Sequence, residues 1–233
     1  MRIALLADVH GNAIALERCL AVLETFDPDA TFFLGDCVGY LPGEQECLEM
    51  LSATAAACQR GNHEQMLLFP TADSELREDV YGLGAVARRT SAATRERIES
   101  WPSRRELEIE GRRVLLVHGS PESPLDGYIY PDADLAPYEG LAYDAVLMAN
   151  THRPFVRRVG DVVMANVGSV GLPRDVGGLS SIAIYDTRAN EVTILRPTLD
   201  VDAVLARWDD AIHPVTRACL LRTAPEFVGK VIE

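Results

Sequence analysis

Asp8 and His10 stand two residues apart at the end of a short apolar run, residues 2–7. On an extended backbone, residues i and i+2 point to the same side. The pair is therefore expected to aim a carboxylate oxygen and an imidazole nitrogen at one point. Such an oxygen–nitrogen pair suits a divalent transition metal. Three further histidines sit in similar surroundings: His63 in Gly61-Asn62-His63-Glu64, His118 before Gly119, and His152 in Asn150-Thr151-His152. Each follows an apolar stretch and borders glycine or asparagine. Asp36, between Gly35 and Gly39, adds a second carboxylate at the end of an apolar stretch. One such histidine would read as packing. Four of the five in the chain, together with Asp8, Asp36 and Asn62, read as a cluster. A buried cluster of carboxylates and imidazoles is costly without a compensating cation. The fifth, His213, lies beside Pro214 near the C-terminus and reads as an ordinary surface or core histidine.

The elements that must position these groups follow from hydrophobic patterning. Residues 2–7 and 31–34 read as strands buried on both faces. In open α/β sheets, sites form at the C-terminal ends of such strands. Asn12 is placed to cap a helix over 13–26, whose apolar face carries Leu16, Leu20 and Leu23. A second helix is expected over 44–57. Residues 65–102 read as mostly helical and rich in arginine, as solvated faces or as a cap over the site. Hairpins are expected over 106–118, turning at Glu110-Gly111, over 155–165, and over 180–195. A buried strand fits 145–148, a glycine-rich turn 166–174, and a helix 202–212. The loop carrying Tyr128 and Tyr130 either lines a pocket or packs. No repeat or linker interrupts the chain, so one domain over 1–233 is expected, with a helical cap-like insertion at 65–102. The order of elements fits an α/β fold: two mixed sheets face to face with helices outside.

Composition narrows the function classes. An apolar content of 48% and a charged content of 24% over 233 residues are those of a globular protein. The net charge of −13, from 35 acidic against 22 basic residues, argues against a general nucleic-acid binder. No apolar run approaches membrane-spanning length, and the N-terminal run is too short for a secretion signal. The five cysteines are scattered, without a C-x-x-C pair, and read as reduced thiols of a cytoplasmic protein.

The ordered series Asp8-x-His10, Gly35-Asp36-x-x-Gly39, Gly61-Asn62-His63-Glu64, His118-Gly119 and Asn150-x-His152 resembles the calcineurin-like metallophosphoesterase superfamily. Thr151-His-Arg-Pro154 and the turn Gly168-Ser-Val-Gly-Leu-Pro-Arg174 resemble its small bacterial and archaeal branch, which includes predicted phosphodiesterases and relatives of diadenosine tetraphosphate hydrolases. The resemblance implies a four-layer αββα sandwich and two divalent metals. By position, Asp8, His10 and His152 would hold the first, Asp36 would bridge, and Asn62 and His118 would hold the second. Mn is the expected metal, with Fe, Ni and Zn also suited to oxygen–nitrogen sites. Two such cations would lower the pKa of a water toward about 7, and the hydroxide would attack phosphorus. His63 would act on the transition state or leaving group, with Glu64 orienting it. Arg153 and Arg174 are adjacent cations for substrate phosphate oxygens. The chain departs from the pattern at Asn150, where relatives carry a histidine ligand, so a weak second site is expected, completed by Asn150. The implied function is hydrolysis of a small phosphomonoester or phosphodiester, nucleotide derivatives included. The alternative is a metal-binding regulatory protein of the same fold with little turnover.

Overall fold

The computed structural model describes residues 1–233, apart from the side chains of Asp73 and Ser74. The chain begins β1 (Arg2–Leu6), α1 (Ala13–Glu24), β2 (Ala30–Phe33), α2 (Glu44–Ala53), β3 (Ala57–Cys58). Short helices follow: α3 (Asn62–Leu68), α4 (Ala72–Leu76), α5 (Glu78–Tyr81), α6 (Leu83–Arg89) and α7 (Ala92–Glu99). Next come β4 (Arg104–Ile109), β5 (Arg112–Val117), β6 (Ala145–Met148), β7 (Phe155–Val159), β8 (Val162–Asn166), β9 (Ile182–Asp186) and β10 (Glu191–Pro197). The chain closes with α8 (Val201–Trp208), α9 (Pro214–Leu220) and β11 (Lys230–Ile232).

Two mixed sheets result. The six-stranded sheet has the order β11-β10-β9-β1-β2-β3, and the five-stranded sheet has the order β4-β5-β6-β8-β7. Parallel pairing joins β1 to β2 and β2 to β3 in one, and β5 to β6 and β6 to β8 in the other. The alternation in β1 shows why the layers stack. Ile3 and Leu5 point into the core between the sheets, with Val114, Leu116, Leu147 and Tyr185. Ala4 and Leu6 point the opposite way, into a core shared with Leu16, Leu48, Leu67 and Val204 of the outer helices. Apolar from Ile3 onward, the strand is thus buried on both faces. Each leucine so buried contributes about 1.5–3 kcal/mol. The two-sheet, helix-flanked architecture is the one expected. Over the outer face of the five-stranded sheet, the covering layer is a loop carrying Ile129 and Leu135, with one 3-10 turn at Ala136–Tyr138. Pro121, Pro124, Pro131 and Pro137 punctuate that stretch and prevent a longer helix.

Asn12 caps α1 as anticipated, its Oδ1 accepting from the Ala15 N–H at 3.2 Å. The expected helix over 44–57 stops at Ala53, a turn follows, and Ala57 opens β3 beside β2 instead. Neither α9 nor β11 was anticipated. One is seven residues long and starts at a proline, the other has three residues. Segments that short carry too few turns for a periodic signal.

The β1–α1 turn tolerates no side chain at Gly11, whose φ is +69° and whose added Cβ would lie 1.9 Å from the Leu41 carbonyl oxygen. At Gly111 the φ is also left-handed, +79°, but the space around it is open. Gly111→Ala is expected to lower unfolding free energy by about 1 kcal/mol. Gly11→Ala is expected to lose about 2–4 kcal/mol, because crowding adds to the same backbone penalty. Urea titrations of the two variants measure the difference; equal losses would mean that the Leu41 contact yields freely.

Candidate metal centre

The candidate ligands lie in loops at the C-terminal ends of β1, β2, β5 and β6, and at the start of α3. Asp8, His10, Asp36, Asn150 and His152 all have left-handed φ values, between 50° and 65°. The extended pairing of Asp8 and His10 is therefore replaced by a coiled loop that still converges their side chains. Non-glycine residues rarely adopt such backbones, and clusters of them mark functional sites. Hydrogen bonds between the loops hold the strain. Asp8 N–H donates to the Gly35 carbonyl at 2.9 Å, His10 N–H to the Asp36 carbonyl at 3.0 Å, and Gly11 N–H to the Cys37 carbonyl at 2.8 Å. Asn150 N–H donates to Asp8 Oδ2 at 3.1 Å, joining the two sheets at the site.

The histidines share one arrangement. Nδ1 of His10, His118 and His152 lies 3.1, 2.9 and 2.6 Å from the carbonyls of Val38, Leu34 and Leu172. A carbonyl accepts only, so Nδ1 carries the proton in each ring, and the other nitrogen, Nε2, is free to ligate. The Nε2 atoms converge. His10 Nε2 is 3.1 Å from His152 Nε2 and 3.7 Å from Asp36 Oδ2. His118 Nε2 is 3.4 Å from Asp36 Oδ2 and 3.8 Å from Asp8 Oδ1, and His152 Nε2 is 3.7 Å from Asp8 Oδ1. Asp8 Oδ1 is buried with no hydrogen-bond partner. Two nitrogens bound at right angles to one cation at about 2.1 Å would stand about 3 Å apart. The spacing and the orphaned oxygen fit a metal. Asp8, His10 and His152 form one ligand group, and Asp8, Asp36 and His118 another.

Electrostatics agree. Burial raises the Asp8 carboxyl to about 8, reinforced by the Asp36 charge against the opposing pull of His118. Burial would also raise Asp36, but His118 and His63 outweigh it and hold that carboxyl below its usual range. Burial works against a charged His118, yet Asp36 and Asp8 raise it to about 10. His10 is lowered to about 3, chiefly by burial, and His152 falls well below its usual value for the same reason. The cluster thus accepts positive charge at one imidazole while neutralising one carboxylate. A divalent cation would relieve both.

The other anticipated residues divide. Asn62 Oδ1 lies 3.2 Å from His118 Nε2, inside the cluster. Asn150 Nδ2 donates to the Gly127 carbonyl at 2.9 Å, which leaves Oδ1 as the end of that amide offered to the site. His63 lies over the cluster, its ring centroid 4.7 Å from that of His10 and stacked at 5.2 Å on Tyr40, with Nδ1 buried and unpartnered. Glu64 does not orient His63. Its carboxylate accepts from the N–H groups of Asp36, Cys37 and Gly61 at 2.7, 2.6 and 2.9 Å, clamping the Asp36 loop to the start of α3. The Val38 N–H adds a fourth donor at 3.3 Å, so the carboxylate's lone pairs are directed at main chain and not at the imidazole. Arg174 reaches the pocket and donates to the Tyr40 hydroxyl at 3.3 Å. Arg153 does not. It is exposed and lines a neighbouring recess. His213 caps α9 and lies 3.7 Å from Asp79, away from the cluster.

The cavity above the cluster measures about 860 Å³. Its walls include Tyr40, Tyr81, Tyr128, Arg77, Thr216 of α9 and Arg222 just past that helix. The anticipated motifs pointed to neither Thr216 nor Arg222, while Arg77 belongs to the arginine-rich segment expected as a solvated face or a cap. Tyr40 follows the Gly35–Gly39 motif directly, and that adjacency was the one signal available for it.

Because Asp8 and His118 hold protons near neutrality, a cation must displace them. Metal binding at pH 7 is expected to release protons, and affinity is expected to rise as pH is raised from 6 to 8, where fewer protons compete. Calorimetry in buffers of different ionisation enthalpy reads the proton count; binding independent of both buffer and pH would contradict this electrostatic account.

Comparison with known proteins agrees with this geometry. The calcineurin-like phosphoesterase superfamily domain matches residues 1–190. An uncharacterised protein of Methanocaldococcus jannaschii is 27% identical over 220 residues, covering 85% of this chain and 88% of its own. The crystal structure of a metallophosphoesterase from Sphaerobacter thermophilus superposes with a TM-score of 0.79 at 26% identity, over 94% of this chain and 98% of that one. A hypothetical protein of Pyrococcus horikoshii shares the fold at a TM-score of 0.83 and 21% identity, covering 99% of both chains. With its ligand cluster and a domain match across most of its length, this chain belongs to the calcineurin-like phosphoesterase superfamily and is a metal-dependent phosphoesterase hydrolase.

Proposed function

We propose that the protein hydrolyses a small phosphomonoester or phosphodiester at a two-metal centre, with Mn the preferred ion. The observation that carries this reading is the convergence of three Nε2 atoms and two carboxylates beneath an open cavity with an arginine in its wall. Asp8, His10 and His152 would hold one cation, Asn62, His118 and Asn150 the other, with Asp36 between them. Bound there, the cations would supply Lewis acidity toward water and the phosphoryl oxygens.

The chain's own residues supply the remainder. The Nδ1–carbonyl bonds fix each ring so that Nε2 is the nitrogen aimed at the site. Glu64 fixes the Asp36 loop, so the bridging carboxylate is preorganised. Arg174, more than half buried beside Tyr40, places a permanent cation where phosphoryl charge develops. Burial lowers His63, so it acts as a neutral imidazole that donates one N–H. The tyrosine-rich walls suit an ester with an aromatic or heterocyclic group, nucleotide derivatives among them. In this reading residues 1–233 work as one domain, and the helices anticipated over 65–102 form a cap, since Met66, Arg77 and Tyr81 line the cavity. The free cysteines, four of them buried, fit a reducing cytoplasm. Among the described residues no helix is long and apolar enough to cross a membrane.

His63→Ala is expected to lower kcat by about 10²-fold or more, and by less for a nitrophenyl ester, whose leaving group needs no help. Metal content should be unchanged. His63 also has a ring nitrogen within 4.8 Å of ligand atoms of His10 and Asp36, so loss of metal from this variant would reassign it as a ligand.

Binding without turnover is the second reading, and Asn150 is the residue that favours it. An amide oxygen binds a borderline metal less tightly than imidazole. One equivalent is expected to survive dialysis and a second to need added Mn, with activity rising as it fills. Asn150→His should reduce that dependence. Two equivalents retained by the wild type would show Asn150 to be an adequate ligand; two equivalents without turnover of any phosphoester would favour the regulatory reading.

A further inference from the structure

Arg174 and Arg222 line the cavity above the cluster and also line a second recess of about 310 Å³, whose other walls include Arg153 and Phe227. The two arginines are held side by side. Arg222 Nη1 donates to the Arg174 carbonyl at 2.9 Å, and the Arg222 carbonyl accepts from the Gly177 N–H at 2.8 Å. Gly177 admits this approach because it has no side chain; an added Cβ would lie 2.1 Å from the Leu220 carbonyl oxygen. The ridge is tied to the metal centre in turn, since Arg174 N–H donates to the His152 carbonyl at 3.1 Å.

Its charge is unspent. Among the described residues, neither Arg153, Arg174 nor Arg222 forms an ion pair with a carboxylate. Asp175 lines the recess, but its two oxygens are taken by Arg196 at 2.5 and 2.8 Å. Glu226 at the rim is exposed. In a chain of net charge −13, Arg153, Arg174 and Arg222 thus gather positive charge around one recess. Thr216 of α9, in the wall of the cavity above the cluster, has a buried hydroxyl without a partner, a polar group with no protein atom to satisfy it. Thr216 and Arg222 lie beyond the 1–190 span of the family domain.

We propose that the Arg174–Arg222 ridge, with Arg153 beyond it, is a second anion subsite, and that the substrate carries another phosphoryl group on the side away from the scissile phosphorus. The inference rests on the phosphoesterase reading and adds to it a requirement on substrate shape. One phosphoryl group sits at the metal centre, the chain of the substrate crosses the ridge, and the second group is bound by guanidinium pairs whose geometry suits phosphate.

Alkane α,ω-bisphosphonates of three to six carbons, with the matching monophosphonates, test this on the Mn-loaded protein, because their C–P bonds resist hydrolysis. Calorimetry is expected to show at least one bisphosphonate binding about 10-fold or more tighter than its monophosphonate, with a best length. Arg222→Gln keeps a donor for the Arg174 carbonyl but removes the charge, and should bring that ratio near one; Arg222→Lys should retain most of it. Arg153→Gln, at an exposed side chain, gives a second variant in which the ratio should fall if the first does not fold. A ratio near one at every length in the wild type, or a ratio untouched by either Gln variant, overturns the subsite. Nitrophenyl phosphate turnover measured alongside reports on the hydrolase reading by itself: turnover with no ratio sinks only the subsite, and a ratio with no turnover sinks only the hydrolase.

Discussion

Two carboxylates and three imidazoles are buried within a few ångströms of one another, and the rest of the molecule is arranged around the cost of keeping them there. Asp8 and Asp36 are almost wholly shielded from water, and so are His10, His118 and His152. Like charges at that depth repel, and lone pairs on facing nitrogens do too. A cation at the centre turns each of those penalties into an attraction. The same residues packed without one would be better replaced by leucine and valine, which already surround them on both sides. The site is therefore a place where folding stability is given up for binding capacity, and the apolar strands beneath it supply the compensation.

Precision at this centre comes from backbone. Five of its residues have left-handed φ angles that a free chain seldom adopts. Those conformations persist because neighbouring loops over-determine them: β1 and β2 continue exchanging hydrogen bonds past their ends, Glu64 collects the N–H groups of the Asp36 loop, and Asn150 ties Asp8 to the second sheet. The ring orientation of each ligating histidine is set the same way, by a carbonyl behind it. Side chains supply the ligand atoms, while main chain supplies their aim.

Above the metal centre the control passes to elements of low periodic content. The helical segment from α3 to α7 brings Met66, Arg77 and Tyr81 over one side of the cavity, and α9 with the residues just after it brings Thr216 and Arg222 to the other. His213, at the start of α9, approaches Asp79 at the start of α5, so the two sides meet across the mouth. Chemistry and selectivity are thereby assigned to different parts of the chain. The centre is built at strand ends deep between layers, and the walls are built from short helices and loops near the surface.

Much of this was legible in the residues alone. The apolar runs of β1, β2, β5 and β6 are long and uniform enough to declare buried strands, and the polar motifs at their ends stand where a parallel sheet exposes a site. Asn12 announced α1, and Glu110-Gly111 announced the β4–β5 turn. Local patterns of that kind depend on neighbours in sequence, and sequence displays them. The direction of the Glu64 carboxylate, the exclusion of Arg153 from the wall of the cavity above the cluster and the arrival of α9 at that cavity were not legible. Glu64 meets Asp36 across 28 residues, and Arg222 meets Arg174 across 48. Contacts at that range leave no period in the chain and are set only when the layers pack. Composition and spacing thus pointed to a cluster of potential metal ligands, and Asp8, His10, Asp36, His118 and His152 are among the side chains that the fold brings together. Tertiary structure decided which neighbours hold those side chains and what the substrate meets beyond them, because those contacts join parts of the chain that only packing brings together.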